Sequence, residues 1–206
     1  MPRKQTPEFD SLKSTAVVEP LRDSAPAEDA DALLMRRIAA GSEGALALLI
    51  EKWKNPLINF IYTSTGDFQL SEDIAMTVFG KVYNARAAYR AQSKFSTYLF
   101  KIARNEIITQ FRKSQSRPFA PTDFDDMPLP APKDSSAECS DIESAFDAAL
   151  SALPEKQRTA ITLYVREELP YADIAEIMRE GVPAVKTLIN RARAYLRDAL
   201  KDFQTK

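Results

Sequence analysis

The stretch from Lys94 to Arg117 constrains the fold more than any other part of the chain, because its apolar residues recur three or four positions apart. That spacing places them on one face of an α-helix, where they can be buried together. The stripe consists of Phe95, Leu99, Ile102, Ala103, Ile107 and Phe111. Ser96 is the predicted N-cap, since a serine hydroxyl can accept a hydrogen bond from an otherwise unpaired amide of the first turn.

The opposite face of this predicted helix is basic. Across residues 94–117, six cations accompany a single acid, Glu106, which gives a local charge of +5. The face itself carries Tyr98, Lys101, Arg104, Asn105, Ile108 and Arg112. Cations, an amide and aromatic rings together suit a nucleic-acid backbone and unstacked bases. An ordinary amphipathic helix with a solvated basic rim fits this stretch equally well, so the choice depends on the rest of the chain.

Composition excludes several classes of function. The chain has no histidine and a single cysteine, Cys139, which nearly excludes zinc sites, histidine-based catalysis and disulfide frameworks. It also lacks a nucleophile elbow and a phosphate-binding glycine loop, so we predict no enzymatic activity, no metal and no cofactor. Five glycines and few β-runs favour an all-α fold. No run approaches the ~18 apolar residues of a membrane helix, and no signal-peptide core is present, so we expect a cytoplasmic protein without membrane insertion.

The uneven distribution of charged residues and prolines divides the chain into segments. Residues 116–140 hold five acids and two bases, a balance of −3, together with five of the thirteen prolines. We interpret residues 116–139 as a flexible acidic linker. Residues 181–206 hold six bases and two acids, a balance of +4. Residues 1–27, with four prolines and no periodicity, are predicted to be a disordered tail.

Three helices are predicted before the 94–113 helix. The first runs over about 30–40 and ends at Gly41, and the second begins after Ser42. Pro56 should kink or break the second helix. The third is predicted to begin at Ser71 and to run to about Arg90. The expected bundle has a core in which Ile74, Val78, Leu99 and Ile102 meet.

The C-terminal part predicts a helix-turn-helix. Ser140 and Glu143 have capping-box spacing, so a helix should begin there, and Pro154 should lie in the first turn of the next helix. Two short apolar stripes follow, separated by a break at Arg179–Gly181. The second of these helices should expose Lys186, Thr187, Asn190, Arg191 and Arg193. That basic cluster favours DNA binding over a plain helical hairpin.

Both parts of the chain resemble bacterial RNA polymerase sigma factors. Region 2 of that family is similar to the segments SEDIAMTVFGKVY and KFSTYLFKIARN. Region 4 is similar to LPEKQRTAITLYV, LPYADIAEIM and VPAVKTLINRARAYL. Two lobes joined by a short acidic linker resemble the extracytoplasmic-function (ECF) subfamily. The resemblance implies two all-α domains, region 2 at 28–115 and region 4 at 140–206.

The resemblance also implies roles for individual residues in region 2. Its third helix would dock on the clamp helices of the polymerase β′ subunit through Asp73, Met76, Thr77, Phe79 and Tyr83. The following loop and helix would capture a flipped base and read the minus-ten promoter element. The residues implied for that role are Tyr89, Arg90, Lys94, Phe95, Tyr98, Lys101, Arg104, Asn105 and Arg112.

In region 4, the resemblance implies that Lys186, Thr187, Asn190, Arg191 and Arg193 bind the minus-thirty-five duplex. Arg179 stands in the turn where family members usually have glycine. The implied partners are core RNA polymerase, through its β′ clamp helices and β flap, and promoter DNA. Anti-sigma factors are common in the subfamily, and whether one binds this chain stays open. The alternative function is a stand-alone helix-turn-helix regulator whose N-terminal helices sense a signal or form a dimer.

Overall fold

The structure, a computed structural model, describes residues 29–114 and 141–201. This described part contains eight α-helices and no β-strand, which confirms the predicted all-α fold. None of its helices is both long enough and apolar enough to cross a lipid bilayer. The predicted tail at 1–27 and the predicted linker at 116–139 lie outside the described residues.

The helices form two lobes. The N-lobe, residues 29–114, contains α1 (Ala30–Ala39), α2 (Glu43–Thr65), α3 (Phe68–Asn84) and α4 (Phe95–Ser114). The C-lobe, residues 141–201, contains α5 (Asp141–Ser151), α6 (Glu155–Val165), α7 (Tyr171–Met178) and α8 (Val182–Ala199). In the N-lobe, α2 packs against α1, α3 and α4, whereas in the C-lobe α8 packs against α5, α6 and α7.

A buried acid connects α1 to α2. Asp31 is buried, and both of its carboxylate oxygens accept from Lys52 Nζ, at 2.7 and 2.8 Å. Its Oδ2 atom also accepts from Trp53 Nε1 at 3.1 Å. These three hydrogen bonds offset the cost of burying the carboxylate.

The predicted bounds of α3 are wrong at both ends. The helix begins at Phe68 because the Asp67 carboxylate accepts from the Leu70 amide at 3.0 Å, so Asp67 and not Ser71 is the N-cap. Ser71 is buried instead, and its hydroxyl donates to the Asp67 carbonyl at 2.6 Å. The helix ends at Asn84, and residues 85–88 form turns, so the chain leaves α3 before Arg90.

Of the two predicted effects of Pro56, a kink or a break, the break does not occur, because α2 continues across this residue from Glu43 to Thr65. A proline inside a helix costs about 3 kcal/mol through a lost hydrogen bond and a steric clash. Leu49, Leu57 and Phe60 are buried on both sides of it. Fully burying one such side chain contributes about 1.5–3 kcal/mol, so packing along the whole helix outweighs the local cost.

The predicted helix-turn-helix is confirmed. Helices α7 and α8 bury their apolar stripes, which consist of Ile174, Ala175 and Met178 in α7 and Val185, Ile189, Ala192 and Leu196 in α8. Between them Arg179 adopts φ 57° and ψ 41°, a left-handed conformation that costs a non-glycine residue about 1–2 kcal/mol. Pro154 is the N-cap of α6 and not part of its first turn.

The two lobes contact each other directly. Helix α7 packs against α4, and α5 and α6 pack against α2, so the buried apolar residues of both lobes form one continuous cluster. At this contact Arg158 Nη1 donates to the carbonyl of Thr63 at 3.3 Å. The charge and proline pattern allowed the lobes to lie either close together or far apart, and in this structure they are close.

The loop between α6 and α7 predicts a pH dependence. Burial raises the pKa of Glu167 from 4.5 to about 7, against the opposing effect of Arg166. The folded chain therefore binds a proton here more tightly than the unfolded chain, and the associated stability is lost as the pH rises through about 7. We expect Glu167→Gln to abolish this pH-dependent change in the free energy of unfolding. Because Glu167 is partly exposed, the change amounts to only about 1–2 kcal/mol.

The measurement is denaturant unfolding of the full chain between about pH 5 and 8. The variant should be the more stable protein at the upper end of this range. Glu168→Gln, at the exposed neighbour, is the matched control and should follow the unmodified chain. An equal pH dependence in Glu167→Gln and the unmodified chain would show that this carboxyl titrates normally.

Candidate nucleic-acid interface

The N-terminus of α4 is held by an acid 66 residues earlier in the chain. Asp29 Oδ2 accepts from the Phe95 amide at 2.8 Å, while Oδ1 accepts from the Asp31 amide at 3.2 Å. One carboxylate thus satisfies the first turns of both α4 and α1, where the helix dipoles favour negative charge. The predicted N-cap, Ser96, is wrong, because it lies inside the helix and is almost fully buried.

The buried face of α4 is wider than the predicted stripe. Phe95, Leu99, Ala103 and Ile107 are buried as expected, whereas Ile102 and Phe111 are only partly buried. Phe100, absent from the prediction, is fully buried. Its ring lies 5.1 Å from that of Phe60 and 6.0 Å from that of Trp53, both edge-on. Because α4 packs against both α2 and α3, the adjacent residues Leu99 and Phe100 are both buried.

Glu106, the single acid of the stretch, belongs to the core side of α4. It is 3% exposed and forms an ion pair with Lys81 of α3. Gln110 Nε2 donates to its other oxygen at 3.3 Å. Since this acid is buried and compensated, it does not reduce the positive charge of the outer face.

A pocket of about 680 Å³ opens where the 85–93 loop meets α4. Two tyrosines form its wall, and the rings of Tyr89 and Tyr98 lie edge-to-face with centroids 5.2 Å apart. Arg90, Gln92, Ser93 and Lys101 also line it. The pocket thus combines aromatic surfaces with amide, hydroxyl and cationic groups.

Both tyrosines are neutral hydrogen-bonding groups at physiological pH. Burial raises the pKa of Tyr89, and Asp29, Tyr98 and Asp31 raise it further. Burial likewise raises the pKa of Tyr98. Among the described residues the buried hydroxyl of Tyr89 has no hydrogen-bond partner.

Phe95 lies behind the pocket and not in it. Its ring is fully buried, with its centroid 6.4 Å from that of Tyr89 and 6.2 Å from that of Tyr98. The implied DNA contact of Phe95 stays a prediction, and in this structure its side chain supports the two tyrosines from the core. The other implied minus-ten residues are accessible, with Arg90, Lys94 and Arg112 exposed and Lys101, Arg104 and Asn105 partly exposed.

A second surface lies on α3. Asp73, Met76, Thr77 and Tyr83 are exposed, and Met76 is 72% exposed, while the Arg86 guanidinium lies 4.0 Å from the centre of the Tyr83 ring. Phe79 is 6% exposed because it shares the buried face with Ala75, Val78 and Val82, so its implied docking role stays a prediction. Phe68 and Leu70, which the prediction missed, add exposed apolar area at the start of the helix.

A third surface is the outer face of α8. Lys186, Thr187, Asn190 and Arg191 are exposed as predicted. Arg193 is partly buried, and its guanidinium lies 4.7 Å from the centre of the Tyr164 ring. Tyr164 stacks on Tyr171 with centroids 5.2 Å apart. This aromatic pair holds Arg193 at the edge of the exposed face.

Two family models match separate parts of the chain. The family model for Sigma-70 region 2 matches residues 49–117, and the model for Sigma-70 region 4 matches residues 143–196. The chain is 30% identical over 186 residues to the ECF RNA polymerase sigma-E factor of Haemophilus influenzae, covering 83% of this chain and 95% of that protein. It is 29% identical over 185 residues to the RNA polymerase sigma-H factor of Pseudomonas aeruginosa, covering 84% and 95%.

Two solved structures share the fold. CnrH in complex with the cytosolic domain of CnrY matches with a TM-score of 0.64 and 22% identity, over 84% of this chain and 99% of that one. The sigma factor RpoE of Bartonella quintana, in complex with the anti-sigma factor NepR, matches with a TM-score of 0.58 and 23% identity, over 74% and 94%.

The shared cap at Asp29 leads to a stability prediction. Asp29→Ala removes the acceptor for two helix N-termini and should lower the free energy of unfolding by about 1–3 kcal/mol. Asp67→Ala is the matched control, because that carboxylate caps α3 alone and should cost about 1 kcal/mol. Denaturant unfolding measures both variants. If Asp29→Ala lowers the free energy of unfolding no more than Asp67→Ala does, the hydrogen bond to the Phe95 amide contributes nothing to stability.

Proposed function

The chain belongs to the ECF subfamily of bacterial RNA polymerase sigma factors, and we propose that its three exposed surfaces divide the work of promoter recognition. As a sigma factor it directs promoter-specific transcription initiation, and a stand-alone regulator is not favoured. We propose that it acts in the cytoplasm and catalyses no reaction of its own. Its partners are core RNA polymerase and promoter DNA.

The pocket beside α4 is the proposed minus-ten site, and its geometry is the observation that supports this role best. A base taken out of the stack needs an aromatic surface and polar groups that reach its edge. Tyr89 and Tyr98 supply the rings, while Gln92 and Ser93 supply the polar groups. Lys94, Lys101 and Arg112 would hold the phosphates on either side, and Asn105 would meet a base edge further along α4.

The exposed face of α3 is the proposed contact with the β′ clamp helices. An exposed methionine and tyrosine near an acid suit a protein partner, because contiguous exposed apolar area often marks a protein–protein interaction site. Asp73, Met76, Thr77 and Tyr83 form this surface, and Phe79 supports it from inside. Phe68 and Leu70 extend it.

The outer face of α8 is the proposed reader of the minus-thirty-five duplex. The second helix of a helix-turn-helix enters the major groove, where Lys, Arg and Asn side chains pair with base edges. Lys186, Thr187, Asn190 and Arg191 are placed for this, while Arg193, held against Tyr164, would contact a phosphate. The C-lobe would also meet the β flap of the polymerase.

The proposed domains are region 2 at 28–115 and region 4 at 140–206, with a linker at 116–139 and a tail at 1–27. The solved relatives CnrH and RpoE are each held by a partner, the cytosolic domain of CnrY and the anti-sigma factor NepR. By analogy we propose that an anti-sigma factor controls this chain as well. The lobes that such a partner would hold are already in contact here.

Run-off transcription on genomic fragments tests the function as a whole. Purified core polymerase with this chain should start transcription at a defined set of promoters, and core alone should not. Binding to duplex DNA without polymerase, and no effect on transcription, would support the stand-alone regulator instead.

Asn105 offers a test of the proposed reading face. Its side chain is partly exposed and makes no hydrogen bond within the described residues, so Asn105→Ala should change the stability by no more than ~0.5 kcal/mol. It should relax the preference at one minus-ten position by ~1–3 kcal/mol. The measurement is run-off transcription from promoters randomised across the minus-ten element.

Arg112→Ala is the control for this experiment. Arg112 is exposed near the end of α4 and would contact phosphate alone, so its loss should weaken all promoters alike. A uniform loss with Asn105→Ala, matching that of Arg112→Ala, would show that Asn105 does not read a base.

A further inference from the structure

Two tyrosines of the C-lobe lie between a pair of cations on α8. Tyr164, near the end of α6, and Tyr171, at the start of α7, stack with their ring planes 10° apart. Lys186 Nζ lies 5.4 Å from the centre of the Tyr171 ring, and the Arg193 guanidinium lies over the ring of Tyr164. Three helices thus supply one row of contacts, in which each ring contacts one cation and the other ring.

This row runs beside the proposed reading face of α8. Lys186 and Arg193 are about two helical turns apart, so their side chains leave α8 on the same side. Asn190 is exposed and lies between them, four positions after Lys186 and three before Arg193. The amide that would read a base is therefore flanked by two cations, and each of these cations rests on a ring.

The rings restrict both cations without neutralising them. Neither Lys186 nor Arg193 forms an ion pair within residues 29–114 and 141–201, and the buried Nε of Arg193 has no hydrogen-bond partner there. A cation over the face of an aromatic ring is attracted by the ring electrons and keeps its full charge. Long basic side chains otherwise sample many rotamers, so restricting them before DNA arrives lowers the entropic cost of binding.

We propose that Tyr164 and Tyr171 are positioning residues of the minus-thirty-five site, which hold Lys186 and Arg193 on either side of Asn190 before DNA binds. The inference rests on the proposed role of α8. It gives two side chains outside the reading face a share in promoter affinity. With the flanking cations fixed against the DNA, the amide of Asn190 meets one base edge in a defined register.

The test must separate the position of the cations from the packing of the C-lobe, because both rings also pack against the buried core. Tyr164→Leu keeps an apolar side chain at this position but removes the ring. Tyr164→Phe keeps the ring and removes only the hydroxyl. Circular dichroism and thermal unfolding of the full chain show whether each variant is folded.

Binding is measured with the full chain assembled with core polymerase. The probe is a fluorescent duplex of a promoter mapped by run-off transcription, and anisotropy follows its binding between about 50 and 200 mM salt. Tyr164→Leu should bind about twofold to fivefold more weakly, the range of one cation–π contact. Its log–log salt slope should become shallower by up to about one unit, because the contact of Arg193 with phosphate is weakened. Tyr164→Phe should follow the unmodified chain.

A double-mutant cycle shows whether the ring acts through the cation. Arg193→Ala alone should make the salt slope shallower by about one unit, and adding Tyr164→Leu to it should change little further. A folded Tyr164→Leu variant with an unchanged salt slope, or one whose full effect adds to that of Arg193→Ala, would overturn the proposal. If Tyr164→Leu unfolds the C-lobe, the same comparison decides with Tyr171→Leu, Tyr171→Phe and Lys186→Ala.

Failure of the proposed function would give a different result. In that case Lys186→Ala and Arg193→Ala would both leave promoter binding and its salt slope unchanged, and the positioning role would fall with the role of α8. If these two variants weaken binding while the ring variants do not, α8 contacts the promoter and only the positioning role is wrong.

Discussion

Helix α4 must bury one side in the N-lobe and present another to a ligand, and the other helices are arranged around that requirement. Its rings Phe95 and Phe100 fill the space beside Trp53 and Phe60, which fixes α4 on α2. Its one acid turns inward to Lys81 of α3. With its N-terminal amide satisfied by Asp29, the helix begins at a fixed point, and the 85–93 loop that forms the pocket is held between two anchored ends. The position of the pocket is therefore a consequence of core packing.

The two lobes present similar side-chain types on surfaces of different shape. In the N-lobe, aromatic rings and cations surround a concave pocket, which suits bases removed from a stack. In the C-lobe, cations and amides lie along the convex outer face of α8, which suits the groove of an intact duplex. The acids of α7 lie between these two surfaces, so a single short helix contacts both the reading helix of its own lobe and the pocket of the other.

Helical periodicity was enough to predict the all-α fold, the helix-turn-helix and most of the basic residues on α4 and α8. It failed where the deciding interaction came from a distant part of the chain or from a wider packing surface. The cap of α4 is Asp29, which no local pattern around Ser96 indicates. The contact roles of Phe79 and Phe95 came from family resemblance, whereas their helical positions place both side chains inside the N-lobe. The contact of α7 with α4 could not be predicted, because helical periodicity within each lobe does not determine the distance between the lobes.

The chain contains a single tryptophan, and its surroundings make it a spectroscopic reporter for one lobe. Trp53 packs against Phe95 and Phe100, and its indole nitrogen donates to the Asp31 carboxylate. Its emission will therefore follow the polarity and the electric field of the N-lobe core. The C-lobe is visible only through tyrosines such as the stacked pair Tyr164 and Tyr171. Excitation at the red edge of tryptophan absorption will thus follow the unfolding of the N-lobe separately from that of the helix-turn-helix, without any label.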